Sequence, residues 1–271
     1  MKELHKAKAS IQRECVNALL RNDGGLANLA TGSGKSKIAI DYILEYQKTH
    51  KVDKILLVVP TEKLRDINWQ LEFDEWDSTN ELYAKVDRYC YASISKLRNM
   101  KYDIAIFDEV HNITPLSSVF FDLNHVSNIV ALTATKPVER DKIAILERLR
   151  VKDVYTLTLD QAVAKKVVSP YNLHLIGFEL DSYHRNIMAG NKNRPFYTTE
   201  AKQYKYLNDN YNAILNGDID GKLKYAGLKR MHFIYGLPSK VRLGKFVLKK
   251  FISPEERTLI FAGNVKVATE L

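Results

Sequence analysis

Two short stretches of this chain hold residues whose types and spacing suit phosphate chemistry. In Ala30-Thr31-Gly32-Ser33-Gly34-Lys35-Ser36 a lysine and a hydroxyl follow a glycine-rich loop. Glycines at such positions let backbone N–H groups turn inward around phosphate oxygens. A helix opening at this point adds the partial positive charge of its N-terminus. Lys35 then offers a point charge to the β- and γ-phosphates of a nucleotide, and Ser36 a hydroxyl to Mg²⁺. The strict pattern has glycine where this chain has Leu29, and the competing reading is a Gly/Ser loop that happens to hold a lysine. In Ile104-Ala105-Ile106-Phe107-Asp108-Glu109 two carboxylates end an apolar run. Burying a carboxylate without a partner is costly. Facing a bound nucleotide, Asp108 can hold the metal, and Glu109 can orient and deprotonate a water. A solvated strand end is the alternative.

Such residues need a scaffold that brings them to one edge. The first 160 or so residues alternate between short apolar runs and helix-period stretches. Strands are expected at Leu26–Ala30, Lys54–Pro60, Tyr83–Tyr91, Ile104–Phe107, Ile129–Leu132 and Val154–Leu157. A first helix through Ile11, Cys15 and Leu19 stops at Gly24-Gly25, and helical spacing recurs at Ile38, Ala39, Tyr42, Ile43 and Tyr46 and at Ile143, Leu146 and Leu149. Strands alternating with helices imply an α/β fold with a parallel sheet flanked by helices, whose ligands bind at the carboxyl ends of the strands.

The 271 residues allow one large domain or two modest ones, and the net charge of +9 favours polyanionic partners. That charge is concentrated. Tyr183–Ile252 holds 14 Lys and Arg against 4 Asp and Glu, beside 7 of the 15 tyrosines, while the remainder is close to neutral. This stretch reads as helical and irregular, broken at Asn216-Gly217, Asp220-Gly221 and Gly236-Leu237-Pro238. Lys222, Lys224, Lys229 and Arg230 suit a phosphate backbone and the tyrosines suit stacked bases; the alternative is a connector with inward tyrosines and solvated lysines. Cys15 and Cys90 form no C-x-x-C pair, so a disulfide framework or zinc ribbon is not expected. Apolar runs such as Ile55–Val59 are too short to span a bilayer. A soluble, cytoplasmic protein is expected, in the host-cell cytoplasm if phage-encoded.

Taken together, the motifs resemble superfamily 2 DExH-box helicases and translocases, closest in style to phage and restriction-type DNA motors. Thr31–Ser36 looks like motif I, Val59-Pro60-Thr61 with Leu64 and Trp69 like motif Ia, and Asp108-Glu109-Val110-His111 like motif II. Thr133-Ala134-Thr135 looks like motif III, and Arg257–Gly263 like motif IV, the first strand of a second RecA-like domain. Tyr91-Ala92-Ser93-Ile94 stands where the family has a nucleic-acid contact. The resemblance implies a RecA-like, P-loop ATP-binding domain over 1–158, a connector over 159–182, the basic segment over 183–253, and the beginning of a truncated second domain over 254–271. It implies ATP and Mg²⁺ as cofactors. Thr31, Gly32, Ser33, Gly34, Lys35 and Ser36 would bind ATP, with Gln12 as an adenine reader or else a plain exposed helix glutamine. Ser36 and Asp108 would hold Mg²⁺. Glu109, Lys35, Asp108 and His111 would be catalytic, His111 linking the γ-phosphate to motif III. Thr133 and Thr135 would couple nucleotide state to domain closure, or merely cap a strand. Pro60, Thr61 and Ser93 would grip strand phosphates.

The implied function is ATP-dependent movement on or remodelling of DNA, by a monomer that prefers DNA to RNA and has no membrane partner. The alternatives are an RNA helicase, the motor subunit of a restriction-modification complex, and an ATP-switched nucleic-acid-binding adaptor. The family's motifs V and VI are not among these residues. The expectation for this chain alone is therefore ATP binding with feeble hydrolysis and no unwinding.

Overall fold

The computed structural model describes residues 2–77, 81–216, 222–253, 255 and 257–271. The turns expected at Gly217 and Asp220-Gly221, and Pro254 at the start of the final segment, lie outside the described residues. The chain divides into two compact units, Met1–Asn172 and Leu173–Leu271.

Six parallel strands form the centre of the first unit. In chain order they are β1 (Gly24–Leu29), β2 (Ile55–Val59), β3 (Val86–Cys90), β4 (Lys101–Asp108), β5 (His125–Thr133) and β6 (Asp153–Leu157). In the sheet the order is β3-β2-β4-β5-β1-β6. β2 is buried along its whole length, as a central strand with both faces covered must be. One apolar cluster joins helices Lys2–Arg21 and Lys35–Tyr46 to one face through Ile11, Leu19, Ile38, Tyr42 and Ile43. A second, around Tyr102, Phe107, Phe120 and Leu146, covers the opposite face. Ala162 and Val167 belong to the first cluster, so the unit runs past residue 158 and takes in helix Leu159–Ala164.

The strand order decides what can meet. β5 lies between β4 and β1, with Asp108 opposite Leu132 and Asn28 opposite Thr133. The loops after β1, β5 and β4 therefore emerge side by side at the carboxyl edge.

One expected strand is shorter than anticipated. Tyr83–Tyr91 splits into a helical turn at Leu82–Lys85, the five-residue β3, and a second turn at Tyr91–Ile94. β3 has only β2 as a neighbour, matched from Ile55↔Val86 to Val59↔Cys90, so β2 limits its length.

The second unit differs from its expected texture. An antiparallel hairpin, β7 (Ile187–Asn191) and β8 (Arg194–Thr198), stands where only helical and irregular chain was anticipated. Its turn is closed by Asn191, whose Oδ1 accepts from Asn193 N at 3.1 Å and Arg194 N at 2.8 Å. That Asx turn lacks the Asn-Gly dipeptide by which hairpins are usually read. Helices Glu200–Asn216, Lys222–Tyr235 and Pro238–Phe251 come next. Glu200 is fully buried and ties the first of these helices to the third and to Asp181, accepting from Ser239 N at 2.9 Å and Asp181 N at 3.2 Å.

Thr258–Ala262 is not the buried strand expected of a second RecA-like domain. It has no regular structure, and Leu259 and Phe261 are 78% and 90% exposed. A strand needs a ladder of neighbouring N–H and C=O groups, and among the described residues no strand pairs with this segment. Helix Val265–Glu270 does form, its Asn264 cap accepting from Val267 N at 2.9 Å.

Candidate functional site

The loop after β1 reverses direction through two left-handed glycines, Gly32 (φ 86°) and Gly34 (φ 88°), and hands over directly to helix Lys35–Tyr46. No side chain caps that helix, so its first N–H groups face the loop. Gln12 braces the loop from behind. It is 5% exposed, and its Nε2 donates to Ser33 O at 2.9 Å. The reading of Gln12 as a plain exposed helix residue is thereby corrected. Any Cβ at position 34 would collide with that same Nε2. Ser33 Oγ is buried without a partner among the described residues. A cavity of about 560 Å³ opens beside Gly34, lined by Lys8, Gln12, Lys37, Glu72 and Trp76 among others.

Strand β4 delivers the carboxylates to this loop. Asp108 is its last residue, and Glu109 takes a left-handed conformation (φ 49°, ψ 57°) that is uncommon for a residue with a Cβ. The turn brings Glu109 Oε1 to 3.1 Å from Lys35 Nζ. Strain of this kind gathers at functional sites, where the surrounding structure enforces it. Asp108 is buried, and burial, more than any neighbour, pushes its carboxyl above the usual carboxylate range. The hydrogen bond from Trp69 works in the opposite direction.

A chain of contacts runs onward to β5. His111 Nδ1 lies 3.4 Å from Glu109 Oε2 and 3.0 Å from Thr133 Oγ1. Thr133 Oγ1 donates to Thr135 O at 2.7 Å and accepts from Thr135 N at 3.1 Å. With that hydroxyl proton committed, Nδ1 must be the donor to Thr133, and Nε2 accepts from Asn112 Nδ2 at 3.2 Å. Lys35, Glu109, His111, Thr133 and Thr135 thus form one connected path across three strand ends.

Residues 5–93 match the family model described as the res subunit of type III restriction enzymes. A curated relative, the DNA 3'-5' translocase XPB2 of Sulfurisphaera tokodaii, is 24% identical over 95% of this chain. Both comparisons support a likeness of this chain to the N-terminal domain of superfamily 2 helicases. This chain spans 60% of the length of XPB2. Among solved structures, the UvsW helicase of bacteriophage T4 is 20% identical with a TM-score of 0.43, covering 55% of this chain and 58% of that one. The Hef helicase domain of Pyrococcus furiosus is 19% identical with a TM-score of 0.41, covering 56% and 37% respectively.

Within the first unit, Pro60 and Thr61 follow β2 and Ser93 follows β3, at the same carboxyl edge as the loop and the carboxylates. Thr61 is exposed, whereas Ser93 Oγ donates to Cys90 O at 2.9 Å. In the second unit Lys222, Lys224 and Lys229 are exposed. Arg230 is engaged internally, donating to Asn208 Oδ1 at 2.8 Å with its guanidinium 4.1 Å from the Tyr211 ring. Two contacts escaped the sequence reading, which placed Trp69 and Tyr91 in motifs without tying either to Asp108. Trp69 Nε1 donates to Asp108 Oδ2 at 3.0 Å, and Tyr91 OH to Asp108 O at 3.0 Å. The available signal was weak: a buried Trp or Tyr must place its polar tip somewhere, and both lie just past strands near β4.

Proposed function

We propose that this chain is the nucleotide-binding part of an ATP-driven DNA helicase or translocase. The observation that carries the reading is the meeting of Lys35 and Glu109 at 3.1 Å, over a loop whose backbone and helix N-terminus face the same space. Lys35 would leave Glu109 for the β- and γ-phosphates, while the N–H groups of Gly32–Ser36 cradle them. Buried Ser33 Oγ, with no partner among the described residues, and the buried Asp108 carboxyl fit a phosphate-bound cation, which Ser36 and Asp108 would hold. Mg²⁺ held there would neutralise phosphate charge and withdraw electrons from the scissile bond. Glu109, released from Lys35, orients the attacking water and accepts its proton. His111, bonded to Thr133, passes the position of Glu109 to the segment after β5. The cavity beside Gln12 and Trp76 has the size for a base.

DNA as the polymer is supported by the relative's description as a DNA translocase and by the basic second unit. Pro60, Thr61 and Ser93 would position strand phosphates without reading sequence. Exposed Tyr183, Tyr197, Tyr206 and Tyr225 beside Lys222, Lys224 and Lys229 suit stacking and phosphate contact. The test is ATP turnover alone and with single-stranded DNA, duplex DNA and RNA, using Lys35→Ala as the blank. ATP binding with feeble turnover, raised by DNA and abolished by Lys35→Ala, is the expected result. Turnover indifferent to Lys35, or stimulated by RNA alone, would overturn the reading.

A further inference from the structure

Asp108 is held by two groups that phosphate chemistry does not itself require. The indole of Trp69 donates to one carboxylate oxygen, and the phenol of Tyr91 to the main-chain carbonyl just before the left-handed turn at Glu109. Both rings are buried, Trp69 to 2% and Tyr91 to 6% exposure. A buried indole N–H needs an acceptor, but a backbone carbonyl would ordinarily serve. Here the acceptor is the carboxylate that ends β4, so the indole restrains that carboxylate's rotation.

The route by which Trp69 arrives is unusual. Residues Leu64–Asn68, immediately before it, form a π-helical turn. Each residue added to a helix rotates the chain beyond it by about 100°, and such insertions concentrate at functional sites. Trp69 points at Asp108 because of that irregular turn. The turn is anchored in its turn on Thr61, whose Oγ1 accepts from Leu64 N at 3.4 Å and whose carbonyl accepts from Arg65 N at 3.1 Å. Between the exposed end of β2 and the carboxylate stand one wound turn and one N–H.

We propose that Trp69 is a positioning residue: its indole N–H sets the Asp108 carboxylate for the cation that accompanies the nucleotide and ties that carboxylate to the Thr61–Asn68 segment. The proposal rests on the reading of the site as an Mg²⁺-nucleotide site. Outer partners of metal-holding groups of this kind contribute about 10–100-fold to metal affinity.

The test is binding of a fluorescent ATP analogue to the full chain, first in EDTA and then across an Mg²⁺ titration. Trp69→Phe keeps a buried ring and removes the N–H. Its metal-free affinity should stay within about twofold of the parent, while the Mg²⁺ needed for half-maximal tightening rises about tenfold. Phe73→Leu, which trims the neighbouring buried ring 5.9 Å away, should keep the parental Mg²⁺ requirement. An unchanged requirement in Trp69→Phe, or an equal shift in Phe73→Leu, would overturn the proposal. Should Trp69→Phe fail to fold, the parent chain labelled with 5-fluorotryptophan answers instead. It has two tryptophans, Trp69 and Trp76, separable with Trp76→Phe. The Trp69 fluorine resonance must move when Mg²⁺ joins the bound analogue, and a fixed resonance sinks the idea. A parent chain that binds no analogue, or binds it without regard to Mg²⁺, defeats the reading of the site itself.

Discussion

The first unit and the second treat their polar groups in opposite ways. In the first, Lys35, Asp108, Glu109, His111 and Thr133 are each bonded to a particular neighbour at the ends of parallel strands. In the second, most lysines and several tyrosines stand along helix and hairpin surfaces, with Tyr183 89% exposed and Tyr225 63% exposed. A site that must place charge on a few phosphate oxygens needs groups locked by their surroundings. A surface that tracks a polymer backbone needs only density of charge and rings, so its members are individually dispensable. The two units should therefore answer substitution differently.

The largest effect belongs to Glu109→Gln. It keeps the shape of the turn and removes the base, so turnover should fall by about 10²–10⁴-fold while analogue binding persists. Equal losses of binding and turnover would mean that Glu109 serves the loop rather than the water. Gly34→Ala comes next. Its left-handed φ and the collision with Gln12 should cost about 1–2 kcal/mol or more in urea unfolding, and nucleotide affinity with it. In the second unit, reversing Lys222, Lys224, Lys229 and Arg230 to Glu should lower DNA affinity and flatten the salt dependence, by about 0.7 in slope per lost contact to single strands. No single one of the four should dominate. Arg230→Ala alone should act more on stability, because its guanidinium is bound to Asn208 and Tyr211.

The smallest effects separate the units by pH. Asp108 in the first unit has its carboxyl raised by burial. The folded state then holds that proton more tightly than the unfolded chain, so stability falls as pH rises from the ordinary carboxylate value through the raised one. Asp181 in the second unit is lowered to about 2 by the backbone N–H groups of His184 and Tyr183. Its contribution is complete above the ordinary value of 3.8 and is lost as pH falls toward 2. Urea unfolding across pH should show Asp108→Asn and Asp181→Asn changing the slope with opposite signs. Slopes of the same sign would contradict the contrast.

Much of the first unit was legible in the residues themselves. All six strands of the sheet overlap the stretches expected to form them, most plainly β2 and β4, because a strand covered on both faces writes its burial into four or five consecutive residues. The boundaries were less legible. β3 is trimmed by its single partner, and β5 begins at His125, four residues before its apolar run, because β4 pairs there with Lys101↔His125. The hairpin at Ile187–Thr198 was invisible, since Ile-Met-Ala-Gly-Asn and Arg-Pro-Phe-Tyr-Thr show no clean alternation and an Asn side chain makes the turn.

Sequence alone determined the glycine-rich loop, the paired carboxylates and the alternation of strand and helix. These are written in contiguous residues, where glycine geometry, helix start and apolar period act over one or two turns of chain. Only the tertiary structure decided that Lys35 meets Glu109, that Gln12 braces Ser33 and that Trp69 turns its N–H onto Asp108. Those bonds join residues 21 to 74 positions apart. No local period reaches so far. They exist because the sheet order sets β5 between β1 and β4, and because one irregular turn rotates an indole toward the carboxylate at their edge.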